Sequence, residues 1–165
     1  MEDHYDSMTR DEKYLFEALK LAERALEEGE IPVGAIVVYK DKVIGEGINS
    51  TKTDNLSTGH AEIAAINAAN RYLKTDKLDG CELFTTLEPC LMCTGAVMNA
   101  RISRVVFGAF DSDAGAMGGK IDLTTVFFKH SAEILGGICK QQCEDLLRRF
   151  FEEKRKSVDN NKSLW

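Results

Sequence analysis

Two short stretches hold residue types that could do chemistry together: Thr58-Gly59-His60-Ala61-Glu62 and Thr86-Leu87-Glu88-Pro89-Cys90-Leu91-Met92-Cys93. They offer an imidazole, two thiols and a carboxylate, which is a metal-ligand set with a proton-transfer group beside it. Cys90 and Cys93 are three residues apart, so one helical turn would bring both sulfurs to one face. Pro89 suits the first turn of a helix, where its missing N–H costs nothing, and the positive end of that helix favours thiolate over thiol. His60, Cys90 and Cys93 make three ligands. Three ligands leave the fourth position of a tetrahedral zinc open for water, as in catalytic rather than structural sites. Glu62, two residues past His60, is close enough to reach that water without being a ligand.

A Cys-x-x-Cys pair also marks redox dithiols and half of a zinc ribbon. No second Cys-x-x-Cys completes a ribbon, and a redox pair leaves Pro89 and His60-Ala61-Glu62 without a purpose. His-x-Glu followed by Pro-Cys-x-x-Cys is instead the recurrent signature of the zinc-dependent nucleobase deaminases, which the sequence resembles here.

The rest of the chain bounds what can hold these residues. A length of 165 residues, 44% of them hydrophobic and 29% charged, fits a globular domain, here taken as residues 1–157 with 158–165 as a disordered tail. No run approaches a membrane span, and the acidic, polar N-terminus is unlike a signal peptide. Five cysteines without a secretory signal point to a reducing cytoplasm. A net charge of −6 speaks against a nucleic-acid partner, but the excess is local. Residues 1–30 carry 4 basic and 10 acidic side chains, and the remaining 135 are balanced at 17 against 17. Arg148, Arg149, Lys154, Arg155 and Lys156 outnumber Glu152 and Glu153; the patch reads equally as phosphate-attracting or as a solvated helix face.

Residues 1–9 show no pattern. Leu15, Leu19, Ala22 and Leu26 predict a helix from Asp11, stopped by Gly29. Val33–Tyr39 and Val43–Ile48 read as a hairpin turning at Asp41-Lys42. A second helix spans 60–72, with Ile63, Ala64, Ile66, Ala68 and Tyr72 as its apolar surface. Strand 81–86 runs into a helix from Cys90 to Ala100 that has no charged residue, as expected of a helix buried against the sheet and a partner subunit. Strand 104–109, an unassigned stretch to His130 and a strand at 132–135 follow. The last helix runs from about Ile138 to Lys156 with Cys139, Cys143, Leu146, Leu147 and Phe150 as its buried stripe. This alternation predicts a three-layer α/β/α domain with a mixed sheet of about five strands. One antiparallel hairpin lies at an edge and the rest is parallel, with both metal-bearing helices starting at the same end of the sheet.

Further motifs choose among deaminases. Ile31-Pro32-Val33-Gly34-Ala35, Val43-Ile44-Gly45-Glu46-Gly47 with Asn49, His60-Ala61-Glu62-Ile63, Arg101 to Ala109 and the ending Leu146 to Phe151 resemble bacterial tRNA-specific adenosine deaminases. That family converts the wobble adenosine of a tRNA to inosine. The resemblance covers roughly residues 12–156. It implies a cytidine deaminase-like fold, one zinc per subunit held by His60, Cys90 and Cys93, and Glu62 as catalytic proton shuttle. It also implies substrate contacts from Asn49, Ala61, Asp111 and Phe151, a tRNA anticodon loop as partner, and a homodimer. From the residues alone, Asn49 is equally a turn residue, Asp111 an ordinary loop acid and Phe151 a core aromatic. The sequence departs from the family at Leu56-Ser57-Thr58-Gly59 before His60, at Asp113 where a Lys is usual, and across Thr124–His130. Two other functions share the zinc motif: a deaminase of a free purine base or nucleoside, and a non-catalytic zinc-binding subunit that presents RNA. An intact Glu62 weighs against the second.

Overall fold

The computed structural model describes residues 7–125 and 129–162, with side chains to residue 158. Helix α1 (Arg10–Glu27) opens with a capping box. The Glu12 N–H donates to the Thr9 hydroxyl at 3.3 Å, and the Thr9 N–H donates back to Glu12 Oε2 at 2.7 Å. Thr9 therefore caps this helix rather than belonging to a patternless end. Gly29, at φ +77°, stops it as expected.

Strands β1 (Gly34–Tyr39) and β2 (Lys42–Ile48) form the expected hairpin. Lys40 and Asp41 both have positive φ, the two-residue turn whose twist matches the strands. The chain continues through α2 (Ala61–Leu73), β3 (Glu82–Leu87), α3 (Leu91–Asn99), β4 (Arg104–Ala109), β5 (Glu133–Gly136) and α4 (Lys140–Lys162). The sheet order is β2-β1-β3-β4-β5. β3, β4 and β5 are parallel, but β1 pairs antiparallel with β3 as well as with β2. The expectation of a parallel sheet beyond the hairpin thus fails at one seam. β2 and β3 do run the same way, as their crossover requires, but β1 stands between them.

Side chains alternate across the sheet. Ala35, Val37, Leu83, Val105 and Phe107 pack with α2 and α3, while Ile36, Val38, Phe84 and Val106 pack with α1. Cys143 and Leu146 bring α4 onto the α1 side, completing the three layers. Where α2 crosses β2, two glycines take the place of side chains. A Cβ at Gly45 or Gly47 would run into the carbonyl of Ala65 or Ala61. The Ala61–Ala65–Ala69 edge of α2 therefore rests on bare β2 backbone, which fixes where its first turn sits.

Three outer features differ from the expectation. Tyr72 is 51% exposed and accepts a hydrogen bond from Lys42 Nζ at 2.7 Å. On α4, Cys143, Leu146 and Phe150 are buried, Leu147 is half-buried, and Cys139 lies just ahead of the helix at φ +51°. α4 also runs on to Lys162 instead of ending at Lys156. Its Glu, Lys and Arg run is good helix former, and no Gly or Pro follows to break it, so 158–162 are helix rather than tail. Residues 163–165 lie outside the described residues.

Candidate active site

β2 and β3 end on the same side of the sheet, and α2 and α3 start there. His60 and Cys90 are the N-cap residues of these helices, each with extended backbone and no side-chain capping bond. A side chain at that position normally folds back onto the helix amides; these two project instead into the space between the helix ends. Pro89 lies one residue ahead of that cap rather than in the first turn. Its carbonyl accepts from the Ala116 N–H at 2.9 Å. Cys93 is in the first turn of α3 and fully buried, and Cys90 and His60 are half-buried. Two positive helix ends thus meet where thiolates would sit.

His60 Nδ1 lies 3.6 Å from Cys90 Sγ and 3.5 Å from Cys93 Sγ, and all three donor atoms fall within 4.8 Å of one another. A tetrahedral zinc, with its usual bond lengths to nitrogen and sulfur, needs N···S separations of about 3.6 Å. The donor set fits zinc.

The protonation pattern points the same way. A hydrogen bond from the Cys93 thiol, with His60 alongside, brings Cys90 down to about 4 against the opposing effect of burial. That same bond, together with burial, pushes Cys93 far above the ordinary thiol range. His60 is raised, chiefly by its contact with Cys90. One sulfur is thus favoured as thiolate and the other as thiol, and a divalent cation would displace the remaining proton. Glu62, in the first turn of α2 and 4% exposed, is pushed up by burial to about 7. A carboxyl that exchanges its proton near neutral pH is suited to acid–base work.

The remaining expected residues are placed less directly. Asn49 follows β2 and is 6% exposed. The Ser50 N–H donates to the Gly59 carbonyl at 2.8 Å, so Asn49 lies alongside the approach to His60. Ala61 is fully buried against β2. Asp111 Oδ1 accepts from the N–H groups of Asp113 and Ala114 at 2.9 and 3.0 Å, closing a turn. Phe151 is 48% exposed and meets Phe150 edge-on at 5.2 Å; Phe150 is the buried ring, so Phe151 is not a core aromatic. Among the described residues no hydrogen bond or ring contact joins Asp111 or Phe151 to the His60–Glu62–Cys90–Cys93 cluster.

Sequence reasoning passed over two further carboxylates. Glu88 is 1% exposed and accepts from the N–H groups of Asp111, Met117 and Gly119 at 2.9, 2.9 and 2.7 Å. It winds the 111–119 loop next to Cys90, and Gly115 and Gly119 leave room for it that a Cβ would fill. Glu30, fully buried, does the same for residues 49–53. For Glu88 the available signal was a charged residue flanked by Leu87 and Pro89 in a mostly apolar stretch; Glu30, which follows Glu27-Glu28-Gly29, carried no such mark.

Residues 8–109 match the cytidine and deoxycytidylate deaminase zinc-binding region. A tRNA-specific adenosine deaminase of Bacillus subtilis is 43% identical over 150 residues, spanning 90% of this chain and 93% of its own. A solved structure from studies of A-to-I editing by tRNA:A34 deaminases, at the wobble position of transfer RNA, superposes with a TM-score of 0.76. It is 34% identical and covers 81% of this chain and 97% of that one. A guanine deaminase from Nitrosomonas europaea superposes with a TM-score of 0.73 at 25% identity, covering 87% and 85%. Zinc is therefore the cofactor that the converging donors imply. Identity this high, across nearly all of both chains, reaches well past the shared zinc region: the chain belongs to the tRNA-specific adenosine deaminases, zinc-dependent hydrolases of the cytidine deaminase superfamily.

Proposed function

We propose that this chain, as one catalytic domain, converts adenosine to inosine at the wobble position in the anticodon loop of a tRNA. The observation that carries the reading is the buried Glu62 carboxyl beside three converging donors, in a chain with this kinship. His60, Cys90 and Cys93 hold the zinc, and Asn49, Ala61, Asp111 and Phe151 contact the substrate. Zinc in this setting supplies a water that ionises near neutral pH. Glu62 takes one proton of the water attacking C6 and gives it to the ring nitrogen, then carries the second proton of that oxygen to the departing amine, so that one water is consumed and one ammonia released. The positive ends of α2 and α3 stabilise the thiolates and the negative charge that develops between them. An anticodon base is unpaired at the outset, so drawing it into the pocket costs little.

The deciding experiment compares an anticodon stem-loop with adenine, adenosine and guanine as substrates, with inosine scored by mass. Conversion of the stem-loop is expected. Turnover of the free purines with the stem-loop untouched would identify a free-purine deaminase instead. Cys93→Ala is expected to lose the single equivalent of zinc, and full retention would remove it from the ligand set. If the Arg148–Lys156 patch meets phosphates, affinity falls with salt by about 0.7 log unit per log unit for each contact, and Arg148→Ala/Lys154→Ala/Lys156→Ala flattens the slope.

We further place the enzyme as a homodimer in a reducing cytoplasm. The uncharged α3 leaves Leu91 62% exposed, a surface suited to a second copy, and the cysteines are free thiols. No helix among the described residues is long and apolar enough to cross a membrane. Light scattering decides the assembly: a mass near 18.3 kDa at micromolar concentration excludes a stable dimer.

A further inference from the structure

Glu30 takes no part in the reaction, yet it is fully buried in the turn between α1 and β1 and gathers five hydrogen bonds from one short loop. The bonds divide between its two oxygens. Oε1 accepts from the N–H groups of Lys52 and Thr53 at 2.8 and 2.7 Å and from the Thr53 hydroxyl at 3.0 Å. Oε2 accepts from Asn49 Nδ2 at 3.1 Å and from the Thr51 hydroxyl at 3.4 Å. The turn is itself anchored, because the Glu30 N–H donates to the Ala25 carbonyl at 2.9 Å. A carboxylate has no proton to give, so the atom of Asn49 that faces it must be the nitrogen. The amide of Asn49 is thereby set in one of its two orientations. One N–H is spent on Glu30; the second N–H and the carbonyl remain, and among the described residues they have no other side-chain partner. A purine edge carries acceptor ring nitrogens and donor amines, so which way this amide points decides what it can read.

We propose that Glu30 is a positioning residue that sets the amide orientation of Asn49, and with it the hydrogen-bond pattern offered to the target base. The proposal rests on the reading of Asn49 as a substrate contact. Burial alone would make Glu30 a structural anchor; the division of partners between its oxygens is what makes the orientation separately testable.

Glu30→Gln supplies that test. Its carbonyl is held by the three donors of Lys52 and Thr53, so its NH2 must occupy the Oε2 side. There it confronts the Asn49 NH2, and Asn49 is expected to flip. The variant should keep its zinc, while kcat/KM falls roughly ten- to a hundredfold, mostly through KM. Glu30→Gln/Asn49→Asp restores the donor–acceptor match, since the new carboxylate accepts from the new amide. It also removes the N–H that Asn49 turns to the base. Melting temperature should recover in the double variant and kcat/KM should not. Recovery of kcat/KM along with melting temperature in the double variant would show that the Asn49 N–H is not what the base meets and would overturn the proposal, as would a Glu30→Gln enzyme that loses stability yet keeps kcat/KM within twofold of the parent. Should Glu30→Gln fail to fold, the double variant alone decides. The assay uses whichever purine substrate the parent enzyme deaminates, so failure of the anticodon assignment would not be mistaken for failure of this one.

Discussion

Glu62 and Glu30 are the same residue type, each almost wholly buried, and each tied to the approach to one catalytic pocket. Their chemistry is opposite because of what donates to them. Glu30 receives five hydrogen bonds, and although burial pushes its pKa up, the Thr53, Lys52 and Thr51 donors outweigh that and hold it below the usual value. Glu62 lacks such a cradle. Burial dominates, and its carboxyl retains a proton to about 7. A full set of donors turns a buried carboxylate into a fixed anchor, while the fewer donors at Glu62, its own N–H and the Cys93 thiol, are outweighed by burial.

The sharpest way to break this contrast is to make the same substitution at both positions. Glu62→Gln should lower kcat by roughly 10²–10⁴ while zinc content and melting temperature hold, because it removes a proton carrier and no cradle. Glu30→Gln should spare the proton chemistry but cost about 1–3 kcal/mol of stability in denaturant titrations, since it replaces a charged acceptor by a neutral amide and forces Asn49 to flip. Equal rate losses, or equal stability losses, would dissolve the distinction.

The acid–base behaviour of zinc-stripped protein offers a smaller effect of opposite sign at the two sites. Folding lowers the Glu30 pKa, so its contribution to stability is present above about 4.5 and is lost as pH falls through the folded value. Folding raises the Glu62 pKa, so its contribution is present below about 4.5 and is lost as pH rises towards about 7. In chelated protein, Glu62→Gln should therefore flatten the stability–pH curve between these values. Glu30→Gln should flatten it only on the acid side. The smallest change is Thr53→Ala, which removes one hydroxyl donor at 3.0 Å and leaves the amide at 2.7 Å. It should cost about 0.5–1.5 kcal/mol by urea titration, with kcat unaltered.

Much of this arrangement was legible in the residues. The zinc donors announce themselves by type and spacing, and the strands and helices by apolar period, with Gly29 as punctuation; the hairpin turn falls at Lys40-Asp41, one residue before the expected Asp41-Lys42, which leaves Lys42 in β2. Thr9 and Glu12 also carried a readable capping box, which the lack of apolar pattern before Asp11 obscured. Strand order was not readable. Whether β3 lies beside β2 or beyond β1 depends on how a whole sheet closes its faces, and nothing local to Glu82–Leu87 encodes it. The anchors Glu30 and Glu88 were hidden for another reason. Most of their partners are backbone amides, which every residue but proline possesses, so no side-chain type at residues 52–53 or 111–119 betrays them.

The placement of His60 and Cys90 at helix N-caps bears on how the metal comes and goes. A cap residue turned towards a metal cannot tie down its own helix, so the first turns of α2 and α3 are held at that point by whatever joins the two side chains. Remove the ion, and the half-buried cap residues His60 and Cys90 lose what held them, while Ala61 and Cys93 behind them stay buried against the sheet. Loading and loss of zinc are then local breathing events at the mouth of the pocket. Metal exchange should accordingly proceed in folded protein, at a rate that low denaturant barely changes.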